Sequence, residues 1–144
     1  MEQAKEILAE EKGNLISIRS WAEYVGETSG YTNLQVKGRI PGSLYGQDSV
    51  AYRNVDGTMF NYEILQEEWR KYSIEEGVSN TFYCGTGWRA AETFIYADAM
   101  GWKNISLYDG GWHEWSNVDV NPVEVGKPSD CIAHKCKKST LVAS

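Results

Sequence analysis

Apolar positions follow two rhythms along this chain. From Glu2 to Glu11 they fall at Ala4, Ile7 and Leu8 among charged residues, the spacing of a surface helix. Lys12-Gly13-Asn14 supplies a glycine stop. Leu15-Ile16-Ser17-Ile18 is an apolar run of strand length, closed by Arg19, and Ser20 then stands as N-cap to a brief helical turn over Trp21–Val25. Residues 26–42 hold four glycines and one proline and predict a long irregular connection. A short strand is expected around Leu44-Tyr45 and a turn at Asn54–Gly57. Helical spacing returns at Tyr62, Leu65, Trp69 and Tyr72, begun by Asn61 and ended before Gly77. Thr81-Phe82-Tyr83 reads as a buried strand, Cys84-Gly85-Thr86-Gly87 as a sharp turn, and Trp88 to Met100 as a helix stopped by Gly101. Ile105–Tyr108 is another apolar strand, followed by the turn Asp109-Gly110-Gly111 and a helical turn over Trp112–Trp115.

Short apolar strands alternating with amphipathic helices predict an α/β domain whose central sheet is mostly parallel and flanked by helices. Ligands of such sheets bind beyond the carboxyl ends of the strands. Arg19, Cys84 and Asp109 each come directly after a predicted strand, so they should meet on one edge. The pattern fades after Pro122, which divides the chain into a domain over residues 1–125 and a tail or extension over 126–144.

The chemistry concentrates at Cys84. A cysteine in a strand-to-helix turn faces backbone N–H groups that the first helical turn leaves unpaired. The helix dipole adds partial positive charge there, and Arg89 adds a full one. Both favour thiolate, the nucleophilic form. Gly85 and Gly87 let the backbone curl around whatever the sulfur carries. Cys84 is therefore the expected catalytic nucleophile, with the backbone of Gly85, Thr86, Gly87, Trp88 and Arg89 as a cradle for the transferred group.

Bulk properties remove several other classes. The chain has 144 residues, enough for one ordinary domain, and a formal net charge of -6 without the basic stripe of a nucleic-acid binder. Its one basic cluster, Lys135 with Lys137 and Lys138, reads as a solvated tail. No apolar run is long enough to span a bilayer, and the first residues lack the character of a signal peptide. A complete chain would on that basis be cytoplasmic, with neither nucleic acid nor membrane as partner. The 3 cysteines cannot all be paired, which suits a reactive thiol in a reducing compartment.

Tyr83-Cys84-Gly85-Thr86-Gly87-Trp88-Arg89 resembles the active-site loop of the rhodanese (sulfurtransferase) family. Leu15-Ile16-Ser17-Ile18-Arg19, Gly38-Arg39-Ile40-Pro41-Gly42 and Tyr108-Asp109-Gly110-Gly111-Trp112 match further landmarks of that family in the same order. Together with Gly26-Glu27-Thr28-Ser29-Gly30, they are most similar to the catalytic C-terminal domain of multidomain thiosulfate sulfurtransferases. The resemblance implies a persulfide mechanism. A donor such as thiosulfate or a mercaptopyruvate-like compound gives sulfane sulfur to Cys84, which passes it to cyanide or a thiol. It also implies that no metal or organic cofactor is needed, and that other rhodanese domains of a longer chain are possible partners. Two departures stand out: many members carry Asp where this chain has Ser17, and thiosulfate-selective relatives place basic residues where Gly85 and Thr86 stand. Cationic contact with thiosulfate then falls to Arg19 and Arg89.

Other readings attach to the same residues. Four residues separate Cys84 from Arg89, one fewer than in cysteine phosphatases and arsenate reductases, so the loop should cradle a sulfur atom and crowd a tetrahedral phosphate. A non-catalytic sulfur carrier or interaction domain is a further alternative. Arg89 could instead pair with Glu92, and Arg19 could form a structural salt bridge to Glu23 or Glu27. Trp88 is expected to pack in the core or to lie over the mouth of the site. Cys131, His134 and Cys136 form three of the four ligands a tetrahedral metal site would need, or a thiol relay, or an ordinary tail.

Overall fold

Four short parallel strands lie side by side in the computed structural model, which describes residues 1–128. In chain order the elements are α1 (Glu2–Glu10), β1 (Asn14–Ser17), α2 (Trp21–Val25), β2 (Leu44–Tyr45), a 3₁₀ turn (Ser49–Tyr52), α3 (Tyr62–Arg70), β3 (Asn80–Tyr83), α4 (Trp88–Ala99), β4 (Ile105–Tyr108) and α5 (Gly111–Ser116). The sheet order is β2-β1-β3-β4, so β3 is flanked on both sides. Ser17 pairs with Tyr45 and with Tyr83, and Tyr83 pairs with Tyr108. All four strands thus end in register, and the segments leaving them emerge along one edge. The α/β architecture expected from the sequence, a parallel sheet flanked by helices, is the one observed.

Side chains alternate across the sheet as strand geometry requires. Ile16, Ile18, Phe82 and Cys84 face a core built with Leu65 and Trp69 of α3, Ala90 and Ala97 of α4, and Trp102. Leu15, Tyr83 and Tyr108 face a second core with Ala4, Leu34, Ile40, Trp112 and Trp115. Both faces are covered, which is why these strands read as continuous apolar runs. Across the start of the central pair, the Asn14 amide donates to the Asn80 side-chain oxygen at 3.1 Å.

Some boundaries differ from the sequence reading. The stop after α1 is Glu11, in the left-handed region at φ 51°, while Gly13 lies two residues on. Helix α3 ends at Arg70, before Tyr72. Its predicted start is correct, with the Asn61 side chain accepting from the Ile64 N–H at 3.0 Å. The 3₁₀ turn has no apolar rhythm to announce it; Asp48 caps it by accepting from the Val50 N–H.

After α5 the chain returns across the body. Buried Arg39 donates to the carbonyls of Tyr24 and Gly126 and pairs with Glu124 at 2.8 Å, while the Gly126 N–H donates to the Val25 carbonyl. From these ties we propose that the body ends close to Val125. The expectations for Cys131, His134, Cys136 and the terminal lysines lie outside the described residues. Among those described, no helix is long and apolar enough to cross a membrane.

Candidate active site

The central strand β3 delivers Cys84 to the carboxyl edge, where its side chain is 1% exposed. Tyr83 anchors the strand end from the other face. Its hydroxyl accepts from the Ile40 N–H at 3.3 Å and lies 2.8 Å from the Ser43 hydroxyl. The chain then turns so tightly that the Gly87 N–H donates to Cys84 Sγ at 3.1 Å. Gly87 is the N-cap of α4 at φ 94°, a conformation that side-chain-bearing residues rarely adopt. The first turn of α5 takes up the loop's acceptors: the Trp112 N–H donates to the Cys84 carbonyl at 2.7 Å and the His113 N–H to the Gly85 carbonyl at 2.9 Å. The turn Tyr108–Trp112 is therefore a brace for the cysteine loop.

Tyr31 closes the loop from above. A Cβ at Gly85 would overlap its ring, so the absence of a side chain there is what lets Tyr31 settle. The Tyr31 hydroxyl accepts from Arg89 Nη2 at 2.9 Å. Arg89 also grips Glu23 with both terminal nitrogens at 2.9 Å and reaches Asp48 at 2.6 Å. Burial alone would weaken the charged form of Arg89, but Glu23 and Asp48 more than offset it and hold the guanidinium firmly protonated. Burial likewise pushes the Glu23 carboxyl up, yet hydrogen bonds from Arg89 and Ser20 outweigh it and leave its pKa below the ordinary value. Glu23 is at the same time the N3 residue of a capping box with Ser20.

Three expectations change here. Arg89 does not pair with Glu92, which is held by Arg53 at 2.6 Å and by the Ser49 hydroxyl. The charge of Arg89 is thus already matched by two carboxylates. Arg19, which in its structural reading would pair with Glu23 or Glu27, pairs with neither. It is 0% exposed, donating from Nε to Ser17 Oγ at 3.1 Å and from Nη2 to the Gly38 carbonyl at 2.7 Å. Trp88 is 83% exposed, so it is no core residue; the start of α4 turns it to the surface.

Thr86, exposed at the loop's tip, lines a shallow cleft of about 380 Å³ with Asp109, Gly110, His113 and Glu114. Cys84 does not line that cleft, so the loop borders the open space while its sulfur lies beneath. Arg19, Cys84 and Asp109 do share the carboxyl edge, as expected. Tyr31, Glu23 and Asp48 were missed as loop residues. Ser20 was visible as the N-cap of a helix start, but nothing local ties Glu23, Tyr31 or Asp48 to a loop more than thirty residues away.

A parallel sheet whose flanked strand ends in a cysteine curled under the N-terminus of the next helix defines a rhodanese-like domain. The sequence profile of that family, the Rhodanese-like domain, matches residues 1–118, and the chain belongs to it. Among its relatives is the thiosulfate sulfurtransferase YnjE of Escherichia coli (strain K12), 48% identical over 133 residues, 88% of this chain and 31% of that protein. A putative thiosulfate sulfurtransferase of Haloferax volcanii is 32% identical, over 78% of this chain and 41% of its own length. The crystal structure of YnjE superposes with a TM-score of 0.83, covering 89% of this chain and 32% of that one. EanB in complex with hercynine superposes at 0.84 with 42% identity, over 89% and 31%. This chain spans less than half the length of each of these relatives.

Proposed function

We propose that this domain is a sulfurtransferase that moves a sulfane sulfur through a persulfide on Cys84. The carrying observation is the Gly87 N–H held 3.1 Å from Cys84 Sγ while two loop carbonyls are bonded to α5. A donor aimed at the sulfur, with two nearby acceptors tied elsewhere, suits a group that carries negative charge during reaction. The designations of the relatives support the same chemistry, as does a structure of EanB bearing a cysteine persulfide with ergothioneine, 42% identical with a TM-score of 0.84.

With thiosulfate, the Cys84 thiolate attacks the sulfane sulfur. A new S–S bond forms, the bond to the sulfonate sulfur breaks, and sulfite leaves with the electron pair. The terminal sulfur of the persulfide then holds the negative charge near the loop N–H groups. Cyanide or a thiolate attacks that sulfur, thiocyanate or a new persulfide departs, and the Cys84 thiolate is restored. Arg89 shapes the loop through Glu23, Asp48 and Tyr31 and does not meet the donor. Steady-state transfer to cyanide from thiosulfate and from mercaptopyruvate tests this. Turnover with at least one donor, abolished in Cys84→Ala, is expected; turnover that survives the substitution would overturn it.

A second reading has its own support. Cys84 is nearly inaccessible, and a sulfur carrier protein of Thermus thermophilus, TtuD, is 28% identical over 82% of this chain. A carrier would accept sulfur on Cys84 and release it only to a partner protein. Mass spectrometry showing loading without release to cyanide would favour it.

A further inference from the structure

Arg19 is a large, fully buried cation whose hydrogen-bonding capacity is only partly used. Among the described residues its Nη1 meets no hydrogen-bond partner and it makes no ion pair. The guanidinium lies 5.7 Å from the centroid of the Tyr83 ring and 5.1 Å from that of Trp112. Tyr83 is the residue before Cys84, and Trp112 donates its backbone N–H to the Cys84 carbonyl. Arg19 therefore sits directly behind the strand end that carries the nucleophile. A buried charge without a counter-charge is costly.

The other charges around the loop sharpen the point. Arg89 of α4 is matched by Glu23 of α2 and Asp48 beside the 3₁₀ turn. Asp109 after β4 and Glu114 of α5 are negative, and His113 lines the same cleft. The residue against Arg19 Nε is Ser17, a neutral hydroxyl, at the strand position where a carboxylate would cancel the charge.

We propose that Arg19 is a positioning residue whose uncancelled buried charge, made possible by Ser17, favours negative charge on the Cys84 sulfur. Arg89 does not fill this role, and neither arginine touches the donor. The proposal deepens the persulfide reading and rests on Cys84 as its nucleophile. Its test reads the thiol directly and needs no sulfur donor. Ser17→Asp places a carboxylate on Arg19, whereas Ser17→Asn fills nearly the same volume without charge. Alkylation of Cys84 by the neutral reagent iodoacetamide at one fixed pH is followed on the Cys84 peptide by mass spectrometry, with thermal melting to confirm folding.

Ser17→Asp should slow alkylation about tenfold, and Ser17→Asn should stay within about twofold of the parent, because the carboxylate matches the buried charge and the amide does not. Arg19→Lys, which keeps the charge, should alkylate faster than Arg19→Gln, and this pair decides the matter if an aspartate at 17 prevents folding. Equal effects of Asp and Asn, or of Lys and Gln, would mean a purely structural arginine and overturn the proposal. A charge-specific split without any sulfur loading of the parent would leave Arg19's role standing and sink the transfer reading instead.

Discussion

Gly85 shows how much one missing side chain decides. Its hydrogen is the floor on which the Tyr31 ring rests, and Tyr31 in turn ties to Arg89. Gly85→Ala puts a methyl group into that ring, and the tyrosine must leave or the loop must open. We expect kcat/KM for sulfur transfer to fall by about tenfold or more, a loss on the scale of a displaced positioning group. Adding Tyr31→Ala to Gly85→Ala removes the collision, so melting of the double variant should return toward that of Tyr31→Ala alone. A Gly85→Ala enzyme with unchanged kcat/KM would show that the contact is idle. At this scale the cysteine and its glycines were legible from the motif itself. Tyr31 was not, because its partner is a glycine and a glycine advertises nothing about what covers it.

At the scale of elements, the Arg89 cluster joins three pieces that share no hydrophobic rhythm: α2 through Glu23, the 3₁₀ turn through Asp48, and α4 through Arg89 itself. Glu23 is buried and Arg89 half-buried, so removing one partner leaves charge poorly matched. Glu23→Gln should destabilise the fold by about 1–2 kcal/mol at neutral pH, as for a charged hydrogen bond lost beside a surviving partner. The lowered pKa sets the sign of the pH effect. The native state holds the Glu23 carboxylate more tightly than the unfolded chain does, where the value is near 4.5. Its contribution is therefore complete above about pH 4.5 and lost as pH falls through the lower native value. Urea unfolding of parent and Glu23→Gln should differ at pH 7, and the gap should narrow as pH falls below about 4.5; a gap that stays constant as the pH is lowered would assign the effect to packing.

Over the whole molecule, the two cores on either side of the sheet set where the edge that carries Cys84 can be. The larger holds an aromatic group in which the Trp69 ring meets Tyr52, Phe82 and Trp102 at centroid distances of 5.8, 5.8 and 5.1 Å. Trp69 Nε1 also donates to the Tyr52 hydroxyl at 3.2 Å, and Phe82 lies two residues before Cys84 on the same face. Trp69→Ala should cost about 3–5 kcal/mol, a large cavity in a packed interior. Denaturant unfolding would register that loss, and a change under about 1 kcal/mol would show that the core refills.

What the sequence determined by itself was everything with a local physical signature. Strand and helix periods, the Ser20 and Asn61 caps, and the glycine-bounded turn carrying Cys84 depend on neighbours within a few residues. From these came the parallel α/β class and the shared edge of Arg19, Cys84 and Asp109. Only the tertiary structure decided how charge is distributed around Cys84. Arg89 meets Glu23 across 66 residues and Asp48 across 41, and Arg19 turns inward to Ser17 and Gly38. An arginine's guanidinium reaches any acceptor that the fold brings near its flexible stem, and no rhythm in the chain encodes which one. The loop around Cys84 was legible because its geometry is made by adjacent residues, and its electrostatics were not because they are made by distant ones.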